Sequence, residues 1–150
     1  MKKAPKVNMF LVDDDPMYLK TLENSFLKES GHYNAKVQTF LTGDECLKNL
    51  HLKPDVIVLD YYLNGFSPKA VNGLEILKKV KKMNAKIQVV MLSGQDKIDI
   101  AVNSMKYGAF DYIVKNESAF VRTQNVINNT NINTNIKTIK HVKTTIKKQN

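Results

Sequence analysis

One cysteine, Cys46, is too few for an internal disulfide framework or a thiolate zinc site, and it fits a reducing compartment as a small core residue. No apolar run approaches the roughly 20 residues that a membrane-crossing helix needs. Lys2 and Lys3 precede an apolar stretch, but Asp13, Asp14 and Asp15 cut it short, so no secretory signal is expected and the setting reads as cytoplasmic. Acids are missing from Val121 onward, where Arg122, Lys137, Lys140, Lys143, Lys147 and Lys148 stand. Most of the net charge of +9 therefore sits in that tail, on a body close to neutral. With 150 residues, 43% hydrophobic and 25% charged, the chain has room for one globular domain with a real core.

What is present is an alternation of short apolar runs and amphipathic stretches. Val7–Val12, Asp55–Leu59 and Ile87–Leu92 are continuous Val/Ile/Leu/Met-rich runs, the pattern of strands buried on both faces. Val37, Thr39 and Leu41, with Ala35 and Phe40, mark a further strand, and Phe110–Val114 another. Between them lie helical spacings. Met17, Leu19, Leu22, Phe26 and Leu27 follow Pro16 and an acid suited to capping, with Gly31 as the stop. Cys46, Leu47 and Leu50 follow Gly43 and end before Pro54. Leu74, Ile76, Leu77, Val80 and Met83 form a third helix, with Lys78, Lys79, Lys81 and Lys82 on its wet side, read as a solvated face. Ile98, Ala101, Val102 and Met105 form a fourth, closed by Gly108, and Ser118 is placed to cap a fifth from Ala119. Five strands alternating with five helices predict an α/β fold with a doubly wound parallel sheet.

The chemistry collects where the strands end, the edge at which open α/β sheets hold ligands. Asp13 and Asp14 follow the first strand, Asp60 the third, Ser93 the fourth and Lys115 the fifth. Close carboxylates do not all stay ionised without a cation. All-oxygen ligation suits Mg2+, and no His or Cys stands at a strand end to favour zinc. A carboxylate beside such a metal is a competent nucleophile toward a phosphoryl group, with lysine and serine placed to stabilise the transferred oxygens. Asp15 reads as a cap. His32, His51 and His141 lack a setting for phosphotransfer and read as surface or core residues.

Four stretches, Leu11-Val-Asp-Asp-Asp-Pro16, Asp55-Val-Ile-Val-Leu-Asp60, Val90-Met-Leu-Ser-Gly94 and Gly108-Ala-Phe-Asp-Tyr-Ile-Val-Lys115, resemble the receiver domain of two-component response regulators over roughly residues 6–130. The resemblance implies a flavodoxin-like (βα)5 fold with strand order 2-1-3-4-5. It implies Asp60 as phosphoacceptor, Asp14 as direct Mg2+ ligand, Asp13 acting largely through water, and the backbone carbonyl of Tyr62 as a further ligand. Lys115 would pair with the phosphate, Ser93 would be the switch hydroxyl and Tyr112 the aromatic switch, while Gly94 would leave room for the donor. The implied partners are a sensor histidine kinase or phosphotransfer protein and a downstream protein target. Three departures stand out. The loop Tyr61–Asn72 is longer than usual, Asn116 replaces the proline that normally follows the lysine through a cis bond, and the tail has no counterpart. A trans turn and an altered approach of Lys115 are expected, and Tyr61 and Tyr62 read equally as a partner-contact pair or as loop aromatics.

The expectation is a receiver over residues 1–131 followed by a basic tail at 132–150, acting alone like a chemotaxis-type regulator. It would be a phosphoacceptor rather than an enzyme, losing its phosphate slowly and signalling by protein contact. Ile132, Ile136, Ile139, Val142 and Ile146 recur at helical intervals, yet seven Asn and six Thr from Val121 onward oppose a stable helix. The tail is read as a frayed extension of the last helix, against a helix formed on a partner or an acidic membrane surface. Two other classes remain. A DNA-binding regulator would use the basic tail, although charge alone supports no sequence-specific nucleic-acid contact. A metal-dependent phosphohydrolase would need an acid two residues past the nucleophile, where Tyr62 stands.

Overall fold

The apolar runs alternate between two cores, one on each face of a sheet. In the computed structural model, which describes residues 5–28, 33–63 and 72–129, Val7, Met9, Leu11, Val56 and Val58 point to one core. Their neighbours Phe10, Val12, Ile57 and Leu59 point to the other. A period of two with apolar residues in both phases can only be satisfied by cover on both faces.

The elements are β1 (Lys6–Val12), α1 (Pro16–Lys28), β2 (Asn34–Phe40), α2 (Gly43–Lys48), a single 3-10 turn (Leu50–Leu52), β3 (Val56–Asp60), α3 (Gly73–Met83), β4 (Gln88–Ser93), α4 (Ile98–Lys106), β5 (Asp111–Val114) and α5 (Ala119–Ile127). All strand pairs are parallel, in the order β2-β1-β3-β4-β5, which is the flavodoxin-like arrangement expected. Leu19, Leu22 and Phe26 of α1 and Ala119 and Ile127 of α5 cover the first core, and Cys46 with Ile76, Leu77 and Val80 of α3 covers the second.

Helix starts follow the capping chemistry. Asp15 Oδ1 accepts from the Met17 and Tyr18 N–H groups at 3.0 and 3.3 Å, Thr42 from Glu45 at 3.2 Å, and Asn72 from Glu75 at 3.1 Å. Ser118 does not behave as expected: its hydroxyl donates to Asn116 Oδ1 and makes no cap bond to α5. Other expectations need correction at element ends. Leu41 lies beyond β2 and is exposed, and Leu50 belongs to the 3-10 turn rather than to α2. Asp55 precedes β3 and accepts the Asn8 N–H at 2.8 Å. Phe110 precedes β5.

Met17, Leu27 and Met83 face solvent, because they flank rather than centre the apolar stripes of their helices. The larger correction is α4. Ile98, Val102 and Met105 are exposed, Ile98 at 81%, while Ile100 and Ser104 face inward. Ser104 is buried at little cost because its hydroxyl donates back to the Ile100 carbonyl at 2.8 Å. Lys81 is not simply solvated either: its ammonium donates to the carbonyls of Ile87 at 2.6 Å and Ala85 at 3.3 Å, tying α3 to the turn before β4. Gly31, the loop centre at 64–71 and the tail from 130 lie outside the described residues.

Gly73 is where α3 meets the end of β3. Its N–H donates to Tyr61 O at 2.7 Å, and a Cβ there would collide with the Asp60 carbonyl and lie 2.7 Å from Tyr61 Cα. A Cβ at Gly94 would meet nothing within 4 Å. Gly73→Ala should therefore lower stability by roughly 1–3 kcal/mol through overpacking against backbone. Gly94→Ala should stay within about 0.5 kcal/mol of wild type. Urea unfolding midpoints of the two variants check the pair.

Candidate functional site

Strand alternation decides which end residues meet. Asp13 continues the phase of Met9 and Leu11, Asp60 that of Val56 and Val58, and Lys115 that of Ile113, all on the face covered by α1 and α5. Parallel pairing brings the ends level, since Val12 pairs with Leu59 and Asp60 with Leu92. Carboxylate oxygens of Asp13, Asp14 and Asp60 consequently lie within 4.8 Å of one another. Lys115 Nζ donates to Asp13 Oδ2 at 2.7 Å and sits 3.3 Å from Asp60 Oδ1. The Lys115–Asn116 bond is trans, and the ammonium still reaches both acids. The four residues expected to carry the charge chemistry are thus together.

Burial sets their protonation. Asp60 is 3% exposed, and burial followed by the neighbouring Asp13 charge pushes its pKa up to about 7, against the pull of Lys115 and of the Tyr62 N–H at 3.4 Å. Asp13 is raised as well, mainly by burial, although Lys115 and the Asp15 N–H at 2.9 Å oppose the shift. For Lys115 burial works downward, but the two carboxylates outweigh it and hold the ammonium charged. Three carboxylates whose oxygens lie this close form a donor set of oxygen alone, which suits a hard divalent cation such as Mg2+. Tyr62 lies two residues past Asp60 at the same rim, half-buried with its ring edge-on to Tyr61 at 4.9 Å.

Ser93 and Tyr112 form a second group beside the first. Met91 pairs with Tyr112 and Ser93 with Val114, on the phase facing the α2 and α3 core. The buried Ser93 hydroxyl accepts the Gln95 N–H at 3.2 Å. Tyr112 Oη donates to the Gln95 carbonyl at 2.6 Å, and its pKa is raised by burial, partly offset by hydrogen bonding with Ser93. Ser93 and Tyr112 therefore hold the turn between β4 and α4 by its two sides. Among the histidines, exposed His51 places Nδ1 3.0 Å from the Lys48 carbonyl, while His32 and His141 lie outside the described residues.

One residue at the site escaped sequence reasoning. Tyr18, in the first turn of α1, has the Lys115 ammonium 4.3 Å above its ring centre. Its only sequence signal is position, three residues after the capping Asp15 on a helix that begins at the acid cluster.

Comparison with known proteins agrees with this geometry. The family model described as the response regulator receiver domain matches residues 9–126. The transcriptional regulatory protein MalR of Bacillus subtilis is 30% identical over 111 residues, covering 73% of this chain and 44% of MalR. An NtrX-like response regulator of Rickettsia conorii is 39% identical over 106 residues, 70% of this chain and 21% of that protein. The chain thus spans less than half the length of these curated relatives. Among solved structures, the receiver domain of NtrX from Brucella abortus superposes with a TM-score of 0.65 at 28% identity, over 78% of this chain and 94% of that one. With the family model covering most of a chain whose parallel sheet carries three aspartates and a lysine to one edge, this protein belongs to the response regulator receiver domain family of two-component systems.

Proposed function

We propose that this receiver accepts a phosphoryl group on Asp60 from a histidine kinase or phosphotransfer protein, with Mg2+, and passes the signal on by protein contact in the cytoplasm. The observation that carries the proposal is a buried Asp60 with Asp13 and Asp14 oxygens within 4.8 Å and the Lys115 ammonium at 3.3 Å. Asp13, Asp14 and Asp60 would hold Mg2+, with the Tyr62 carbonyl as a further ligand, and the bound ion would offset charge on the acids and on the incoming phosphoryl oxygens. A deprotonated Asp60 oxygen forms the new P–O bond while the bond from phosphorus to the donor breaks. The electron pair leaves with the donor, which takes its proton from solvent. Lys115 stabilises the transferred oxygens, and open space around Gly94 admits the donor.

The switch follows from the bonds at Gln95. When the Ser93 hydroxyl turns to a phosphoryl oxygen, the Gln95 N–H loses its acceptor and the turn held by Tyr112 rearranges. That rearrangement shifts the population between two packings of α4 and β5. The protein would act as a stoichiometric phosphoacceptor with slow phosphate loss rather than as a turnover enzyme. Tyr62, where a phosphohydrolase would need its acid, supports that reading. The receiver body is taken to run to residue 131, with the basic segment 132–150 as an appendage. Among the described residues no helix is long and apolar enough to cross a membrane.

Incubation with acetyl phosphate and Mg2+ should add the mass of one phosphoryl group to the intact protein, and Asp60→Asn should add none. An unmodified wild type, or an equally modified variant, would remove Asp60 from the role. Truncation after Asn131 should leave the modification unchanged.

The raised pKa of Asp60 predicts a pH dependence. Between the ordinary 3.8 and about 7, native Asp60 keeps a proton that the unfolded chain has released, so stability of the metal-free protein falls as pH rises through that window. Asp60→Asn should remove that slope and leave metal-free protein more stable above the window, by on the order of 2 kcal/mol. Urea midpoints in chelator across the window check the sign. Mg2+ affinity should move oppositely, rising with pH until Asp60 is ionised.

A further inference from the structure

We infer that Tyr18 is a positioning residue for phosphoryl transfer: the face of its ring holds the Lys115 ammonium beside Asp13 and Asp60. The inference rests on the phosphoacceptor reading above. Lys115 Nζ lies 4.3 Å from the centre of the Tyr18 ring, within cation–π range, and its side chain is only 19% exposed. Partial burial strengthens such an attraction, because water competes less for the ammonium.

The ring is itself held. Tyr18 stacks on Phe120 of α5 with centroids 5.4 Å apart and planes at 27°, and both rings pack against the core under α1 and α5. Its backbone N–H is fixed by the Asp15 cap that starts α1. Meanwhile Tyr18 Oη is buried with no hydrogen-bond partner among the described residues. The contacts that place the residue here are those of its ring, one face of which lies against the Lys115 ammonium.

The geometry also says why Lys115 needs such a partner. Its four-carbon stem is flexible, and the ammonium is nearer Asp13, at 2.7 Å, than Asp60, at 3.3 Å. Phosphoryl transfer to Asp60 requires the ammonium to follow new oxygens on the Asp60 side. A hydrogen bond would hold it at one point. The face of a ring attracts the charge over an area and lets it shift toward the phosphoryl group without leaving the site.

The test separates the ring's electronics from its packing. Phenylalanine carrying one, two or three ring fluorines in place of Tyr18 keeps shape while draining the negative face. The rate of Asp60 modification by acetyl phosphate at saturating Mg2+ should fall stepwise with fluorination. Tyr18→Phe should stay within about twofold of wild type, and Tyr18→Leu should lose roughly tenfold. In metal-free protein, the Lys115 Cε protons should carry an upfield ring-current shift in wild type and Tyr18→Phe, and lose it in Tyr18→Leu. Rates insensitive to fluorination, a wild-type rate in Tyr18→Leu, or unshifted Lys115 protons in wild type would each overturn the inference. So would a Tyr18→Phe loss as large as that of Tyr18→Leu, which would assign the effect to the hydroxyl. A wild type that takes no phosphoryl group would overturn the phosphoacceptor reading itself, and the positioning role with it.

Discussion

Asp13 and Asp60 are buried side by side at the end of the sheet, and the Lys115 ammonium reaches both. Burying a charge is costly unless it is paired, and Asp13 and Asp60 share the single Lys115 ammonium. The cluster comes from the fold itself. Asp13, Asp60 and Lys115 each extend a strand phase whose earlier members are core residues, so the packing that buries Leu11, Val58 and Ile113 also delivers the charges. Burial and then the neighbouring Asp13 charge push the Asp60 pKa up to about 7, and a divalent ion held by the acids would offset both. Readiness for Mg2+ and reluctance to ionise in its absence have the same electrostatic cause.

The reading from sequence succeeded where geometry follows from period. Strand identity, a parallel sheet and the meeting of Asp13, Asp14, Asp60 and Lys115 rest on alternation and on parallel crossovers, which depend little on side-chain detail, while the strand order came from the family resemblance. It went astray where one helix carries two apolar stripes. In α4, Ile98, Val102 and Met105 outnumber the stripe of Ile100 and Ser104, yet the shorter one faces the sheet. A serine that bonds its own helix backbone reads as polar in sequence and behaves as a core residue in space. The same blindness hid Tyr18. Its role depends on Lys115 and Phe120, about a hundred residues away in the chain, and no local pattern reports a contact of that range.

Those two misreadings mark opposite ends of the molecule's stability. Tyr18 and Phe120 fasten α1 and α5 together across the first core, on the side where the charges must be held in register. On the other side α4 rests on few buried groups, and what borders it is a turn held through hydrogen bonds at Gln95. Elements with few buried apolar contacts are those that move at least cost. Under the proposed switch, the rigid side would keep Lys115 aligned with Asp60 while the loose side responds to Ser93. Were α4 packed as its longer apolar stripe suggests, with Ile98, Val102 and Met105 in the core, moving it would forfeit the burial of three large side chains. At roughly 1.5–3 kcal/mol each, that cost would exceed the roughly 1.5–3 kcal/mol of a hydrogen bond to a charged phosphoryl oxygen. Leaving those residues outside keeps the two packings close in energy, a condition that a phosphorylation-driven population shift requires.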